Sequence, residues 1–134
     1  MQVREIDLKA DYETISGWWD KWSWPIVPQA ILPDEGIMVE SDSGEPVATG
    51  FLYLTNSKVA IAEWIVASPE IERSERAKAL DLLIDNLCLL AEVHSKTHVF
   101  SFFEGKSLSG LIKRFKEHGF AEADTGMTHL VRVM

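Results

Sequence analysis

Three strand-like segments in a row constrain the fold more than any other part of this chain. Apolar and polar residues alternate along 37–40, 47–55 and 59–67, a period of two that is typical of β-strands. The turns between them, 41–46 and 56–58, are rich in Ser, Asp, Asn, Gly and Pro, which tight turns favour. Because short turns join neighbouring strands, the pattern predicts a three-stranded antiparallel meander.

A helical pattern follows the meander. Apolar residues recur there at steps of three and four, so they line one face of a helix that must pack on the sheet. These residues are Ala77, Leu80, Leu83, Ile84, Leu87, Leu90 and Ala91. A meander covered by a long helix predicts an α+β fold.

Further elements are expected on both sides of this unit. Before it, we predict a strand at 3–6 and a helix that starts with Asp11 as its N-cap. After it, 98–103 alternates as a strand, and an amphipathic helix ends before Gly119, which is placed as its C′ residue. Residues 121–134 suit two short strands.

Length and composition indicate a single globular domain over residues 1–134, since 46% of the residues are apolar and 25% charged. The net charge of -8 disfavours a nucleic-acid partner, because phosphates would be repelled. The sequence has no apolar run long enough for a membrane span, and its charged start is unlike a signal peptide, so we expect a cytoplasmic protein. Cys88 lies in an apolar run and is expected to be a buried small hydrophobe.

This order of elements resembles the GCN5-related N-acetyltransferase (GNAT) superfamily. One signature is the strand 64–67 that ends before Pro69 and leads into a long helix. The other is 111–120, similar to the late family helix that ends in Tyr-x-x-x-Gly-Phe. The resemblance implies a mixed, mostly antiparallel central sheet flanked by helices. The chain is also similar to the small GNAT-like proteins of tailed phages. It also implies an N-acyltransferase that moves an acetyl group from acetyl-CoA, or another acyl-CoA, to an amine.

The resemblance places a diphosphate-binding loop after Pro69, where backbone N–H groups at a helix start would face the anion. The family pattern Arg/Gln-x-x-Gly-x-Gly/Ala falls here on Glu72, Glu75 and Ala77, of which only Ala77 conforms. Two carboxylates beside a diphosphate would be repulsive. The alternative is a solvated helix start whose acids stabilise the N-terminus.

Cofactor contacts are nevertheless expected from two sources. Cationic side chains that alternate with the acids would reach the phosphates. In the family, the preceding strand pairs through its backbone with the pantetheine arm, as an added strand would. The candidate cofactor-binding residues are Ile65, Val66, Ala67, Arg73, Arg76, Ala77 and Lys78.

Glu63 is the candidate catalytic base. It shares the expected strand face with Ile61 and Ile65, an apolar setting that suits a general base. The alternative is a carboxylate that is hydrogen-bonded at an open sheet edge. The family's usual general acid, a tyrosine, is replaced by Phe115, which has no proton to donate. The remaining donor candidates are water, Tyr53, Ser107, Ser109 and His118, although His118 fits a helix end better.

The acceptor, a small-molecule or macromolecular amine, would bind near the first helix. In the family this helix and the following loop border the acceptor site, here Trp19, Trp22, Trp24 and 25–33. Packing of a proline-rich loop by the tryptophans is the alternative. Asp34 and Glu35 could pair with a cationic amine or form an exposed acidic turn.

Other functions stay open. A non-catalytic GNAT-like interaction protein would explain Glu72, Glu75 and Phe115. Nucleic-acid modification would need a basic strip formed by Lys106, Lys113, Arg114 and Lys116. No metal site is expected, since His94 and His98 lack further ligands. A family-like final hairpin could form a homodimer.

Overall fold

The structure is a computed structural model that describes residues 1–105 and 107–134. Lys106, one of the four residues of the expected basic strip, therefore lies outside the described residues. Contacts divide the chain into two units, Met1–Phe103 and Glu104–Met134, and each is described by itself. The interpretation of residues 1–134 as one domain stays a prediction.

The first unit contains one mixed sheet and two α-helices. In chain order its elements are β1 (Gln2–Glu5), α1 (Leu8–Lys21), a 3-10 turn (Gln29–Ile31), β2 (Gly36–Glu40), β3 (Pro46–Leu54), β4 (Val59–Ala67), α2 (Arg73–Val93) and β5 (His98–Phe100). The strands lie in the order β1-β2-β3-β4-β5, with antiparallel pairing up to β4 and parallel pairing between β4 and β5. The mixed, mostly antiparallel sheet flanked by helices is thus confirmed.

The two helices cover opposite faces of the sheet. On the α1 face, Trp18 and Trp19 are buried in one cluster with Phe51 of β3. On the α2 face, a Cβ at Gly50 would lie 3.0 Å from Leu87 Cδ1 and 3.6 Å from Leu83 Cδ2, so α2 packs directly against β3 there. Trp18 and Trp19 are 6% and 2% exposed, so for Trp19 the structure favours the packing alternative over the acceptor site.

The start of α1 differs from the prediction. Its N-cap is Asp7, whose carboxylate accepts a hydrogen bond from the Ala10 N–H at 3.4 Å. Asp11 lies inside the helix and is buried, where its two carboxylate oxygens each accept a hydrogen bond at 2.8 Å from Arg4. Two aspartates four residues apart fit the cap pattern equally well, and only the position of Arg4 on β1 separates their roles.

The second unit contains α3 (Ser109–Glu117). Phe115 is buried, and its ring meets that of Phe120 edge-on at 4.9 Å. Gly119 has φ 92°, which confirms it as the C′ residue. The two strands predicted for 121–134 are wrong, since all these residues are exposed and none has strand pairing within the described chain. A strand forms only where a partner satisfies its backbone, which alternation alone does not provide.

In the part of the chain that the structure describes, no helix is long and apolar enough to cross a bilayer.

Candidate functional site

A β-bulge in β4 positions the candidate base. Phe51 pairs with Glu63 and Thr49 pairs with Val66, so β4 carries one residue more than β3 over this interval. Gly50 is the single β3 residue opposite the bulge. Trp64, within it, has φ 59°, a left-handed conformation that is strained for a bulky side chain.

The bulge changes which residues share a face. Cross-strand partners point to the same face, so Glu63 lies on the α1 face with Phe51, and Trp64 packs there as well. Ile65 is turned to the α2 face, where its Cδ1 would lie 2.5 Å from a Cβ at Gly50. The prediction that Glu63 and Ile65 share a face is therefore wrong. It assumed strict alternation along β4, and the extra residue of the bulge breaks that alternation.

The 25–35 loop is tied to the α1 face by two tyrosines. The Tyr53 hydroxyl donates to the Ile31 carbonyl at 2.7 Å and accepts from Trp64 Nε1 at 2.8 Å. The Tyr12 hydroxyl donates to the Val27 carbonyl at 2.8 Å. The proton of Tyr53 is thus directed at a backbone carbonyl, which supports its packing role over that of an acid.

Strands β4 and β5 separate beside Glu63. The two strands pair over three residues each, Val59–Ile61 of β4 with His98–Phe100 of β5. Beyond these pairs, the Ser101 hydroxyl donates to the Ala62 carbonyl at 2.7 Å, and the Phe102 N–H donates to Glu63 Oε1 at 3.1 Å. We call the side of β4 that faces away from β3 along 62–67 the β4 edge; half-buried Glu63 lies near its beginning.

The far end of the β4 edge is in contact with α1. The Ser68 N–H donates to the Val47 carbonyl at 2.8 Å, towards β3. Backbone groups of successive strand residues point to opposite sides, so those of Ala67 point to the β4 edge. The Ala67 carbonyl accepts a hydrogen bond from Trp22 Nε1 at 2.8 Å, and Trp22 is the C-cap residue of α1.

Two neighbours hold the Trp22 ring. Trp24 stacks on it with a centroid distance of 5.8 Å and an interplanar angle of 19°. The Arg76 guanidinium lies 5.6 Å from the ring centroid, and its Nη1 donates to the Ile71 carbonyl at 2.6 Å. Arg76 is therefore brought to the β4 edge by the first turn of α2.

The start of α2 offers an anion its helix N-terminus. Glu72 is the N-cap residue, and its side chain makes no capping hydrogen bond. The leading N–H groups of an α-helix have no partner within the helix and carry its positive end. Arg73 is exposed in the first turn, and Ala77 is half-buried one turn later.

Lys78 is directed elsewhere. It follows Arg76 by two residues, which rotates it by about 200° around the helix. Together with Glu75 it lines an open cleft of about 880 Å³ between α1, the β2–β3 turn and the start of α2. Asp42, Glu45 and Glu70 also line this cleft, so it repels the anion that the β4 edge would attract.

The cysteine and histidine candidates make contacts that stabilise the fold. Cys88 is half-buried and not fully buried as expected; this partial burial, together with the charges of Asp85 and Glu92, raises the pKa of its thiol, so the thiol stays protonated at neutral pH. His94 Nε2 lies 3.5 Å from a Glu35 carboxylate oxygen, and the backbone of His118 caps α3 as expected. Of the described residues, no group of three His, Cys, Asp or Glu could hold a metal ion.

The expected basic strip on α3 is partly neutralised. Lys116 pairs with Glu122 at 3.0 Å, and Lys113 is exposed. This pairing weakens the argument for a nucleic-acid partner.

Sequence reasoning placed Trp22 beside the acceptor and missed its contact with Ala67. A hydrogen bond from a side chain to a backbone carbonyl 45 residues away leaves no spacing pattern. The only signal was the run of four tryptophans from Trp18 to Trp24, which exceeds what one helix face can bury.

Several solved structures have a fold similar to that of this chain. No protein-family model matches the chain, and no curated protein matches its sequence. Among solved structures, a probable acetyltransferase superposes with a TM-score of 0.75 at 12% identity, covering 100% of this chain and 99% of the other. The Mycobacterium tuberculosis protein Rv2747, in complex with CoA, gives 0.70 at 20% identity over 96% of this chain and 76% of its own.

A third similar structure is AAC(6')-Iy in complex with the bisubstrate analogue CoA-S-monomethyl-acetylneamine. Its TM-score is 0.70 at 18% identity, with 98% of each chain covered. At these identities the likeness concerns the fold alone. The chain therefore has the fold of the GNAT acetyltransferases.

Proposed function

We propose that the chain is an acyl-CoA-dependent N-acyltransferase that transfers an acetyl or similar acyl group to an amine. The observation that carries this proposal is the β4 edge, which has a carboxylate near its beginning and a helix N-terminus at its end. The solved structures of similar fold, two of them with CoA or a CoA analogue, support an acyltransferase over a non-catalytic interaction protein.

The cofactor would lie along the β4 edge. An extended arm with amide groups can pair with the backbone of 65–67 as an added strand does. Its diphosphate would then meet the N-terminus of α2, where Arg73 and Arg76 supply positive charge and Ala77 leaves room for close approach. Because Lys78 lines the acidic cleft, it has no part in this proposal.

Glu63 would act as the general base. A carboxylate has about four lone-pair sites, so it can accept hydrogen bonds such as that from Phe102 and still take a proton. The amine nitrogen attacks the thioester carbon, the C–S bond breaks, and the amine proton goes to Glu63. The CoA thiolate leaves and takes a proton from water, and Glu63 returns its proton to the solvent, so that the carboxylate and neutral water are restored. Since a thiol has a pKa of about 8.5, the thiolate is a good leaving group and needs little help from an acid.

Titration calorimetry with acetyl-CoA and with free CoA tests the cofactor site. Replacing Arg73 by Ala should weaken binding about threefold to tenfold, because one charge-assisted contact to the diphosphate is lost. Lys78→Ala is the matched control, and it should change the affinity by less than about twofold. No saturable binding to the wild-type protein at millimolar concentration would overturn the proposal.

Release of free CoA in the presence of a panel of amines tests catalysis. Glu63→Gln should lower turnover about 100-fold or more while leaving CoA affinity unchanged, since the amide keeps the shape but cannot accept the proton. Binding without CoA release for any amine would favour the interaction protein instead.

A further inference from the structure

We propose that Trp22 occupies the place of the cofactor arm on the β4 edge, and that acyl-CoA binds only when the Trp22 indole leaves it. This proposal rests on the proposed function and adds a residue that controls access to the same site. The ligand class concerned is the amide-bearing pantetheine arm of CoA or of an acyl-CoA.

The geometry points to direct competition. The Ala67 carbonyl is a backbone acceptor at the far end of the β4 edge, and Trp22 Nε1 donates to it at 2.8 Å. An amide N–H of an arm pairing with β4 would donate to the same carbonyl. A carbonyl oxygen has two lone pairs, but the indole ring fills the space that the arm would cross.

Trp22 is held firmly enough to block the edge and weakly enough to be displaced. Its contacts are one neutral hydrogen bond, one stacked ring, one cation–π contact and partial packing against the core cluster, each modest at a half-buried site. Because Trp22 is the C-cap residue and lies at the margin of that cluster, its side chain can rotate away while Trp18 and Trp19 stay buried.

Movement of Trp22 also affects Arg76. In the closed arrangement the guanidinium is engaged by the Trp22 ring and by the Ile71 carbonyl. When the ring leaves, Arg76 loses the first of these contacts and can turn to the diphosphate. Opening of the edge and formation of the anion site are thereby coupled.

The test measures binding of CoA, pantetheine and adenosine 3′,5′-bisphosphate to the wild type and to Trp22→Phe. The substitution keeps an aromatic ring against Trp24 and Arg76 but removes the N–H. We expect CoA and pantetheine to bind about threefold to tenfold more tightly, as one hydrogen bond no longer has to be broken. The bisphosphate, which has no arm, should gain less affinity than CoA and pantetheine, because it benefits only through the release of Arg76.

Trp24→Phe is the matched control, because it alters the same stack but touches no backbone acceptor on β4; its CoA affinity should stay within about twofold. Equal or weaker CoA binding by Trp22→Phe, with wild-type binding intact, would overturn this proposal and leave the proposed function standing. Absence of CoA binding to both proteins would overturn the two together.

A measurement on the unaltered protein does not depend on the variant folding. With ¹⁵N-labelled tryptophan, the Trp22 indole N–H should exchange slowly with solvent in the free protein and lose this protection when CoA is added. Protection that persists at saturating CoA would contradict displacement.

Discussion

The two halves of β4 differ in what lies beside them. At Ala60 and Ile61 the strand is paired on both sides, by β3 and by β5. From Ala62 to Ala67 the strand pairs with β3 alone among the described strands. On its other side, the Ser101 hydroxyl donates to the Ala62 carbonyl, the Phe102 N–H donates to the Glu63 carboxylate, and Trp22 donates to the Ala67 carbonyl. A backbone edge without a partner strand becomes available for recognition, and side chains from elsewhere decide how available it is.

The bulge lies within the second half, and filling the space that it leaves at Gly50 should have the largest effect. Replacing Gly50 by Val places side-chain atoms where even a Cβ would lie 2.5 Å from Ile65 Cδ1 and 3.0 Å from Leu87 Cδ1. We expect a loss of about 3 kcal/mol in the free energy of unfolding, measured by urea titration followed by circular dichroism.

Gly17→Ala is the control for this substitution. A Cβ at Gly17 would meet nothing within 4 Å, and alanine favours the helix, so stability should rise by about 0.5–1 kcal/mol. Similar losses at both glycines would mean that the bulge has no special demand for space.

Substitution of Asp11 should show whether the start of α1 affects CoA binding beside Trp22 at the end of the same helix. Asp11→Asn weakens a buried, bidentate pair with Arg4, so we expect a loss of about 2 kcal/mol at pH 7 with unchanged CoA affinity. A changed affinity would show that the anchoring of α1 also controls the β4 edge.

The pH dependence of this loss has a definite sign. Burial opposes ionisation of Asp11, but the hydrogen bonds from Arg4 and from the Asp7 N–H, with the charge of Arg4, lower the pKa of this carboxyl below its ordinary 3.8. Its contribution is therefore present above the unfolded pKa and is lost as the pH falls through the lower folded pKa. The stability difference between wild type and Asp11→Asn should shrink below about pH 4.

Ser101 marks where pairing with β5 stops, and its removal should have a smaller effect. Ser101→Ala leaves the Ala62 carbonyl without its hydroxyl donor, which we expect to cost about 1 kcal/mol in urea unfolding. Ser101→Thr keeps the hydroxyl and should cost clearly less. Equal losses for the two variants would assign the effect to packing at this position.

The ion pair between Lys21 and Glu70 should matter least. It links the last turn of α1 to the β4–α2 connection, but both side chains are more than half exposed, at 54% and 68%. Lys21→Met should change stability by about 0.5 kcal/mol or less, and even this difference should vanish in 1 M salt. A larger effect would indicate that the pair fixes the end of α1 against the β4 edge.

Much of the fold followed from periodicity. The meander, both long helices and the C′ position of Gly119 were predicted, because burial on one face imposes a repeat that survives in the sequence. The failures share a cause: Asp11 as a cap, Ile65 beside Glu63 and strands in 121–134 each depended on a distant partner. The role of Glu63 as the catalytic base stays a prediction, and its hydrogen bond from the Phe102 N–H is what the alternative, a carboxylate hydrogen-bonded at an open sheet edge, expected.

The sequence by itself determined which segments are strands and helices and which apolar residues form the core, since these depend on local patterns of burial. The tertiary structure alone decided the register of β4, the face that Glu63 occupies, and the contact between Trp22 and Ala67. A bulge, a strand separation and a hydrogen bond across 45 residues arise from the meeting of distant segments, and no local spacing encodes them.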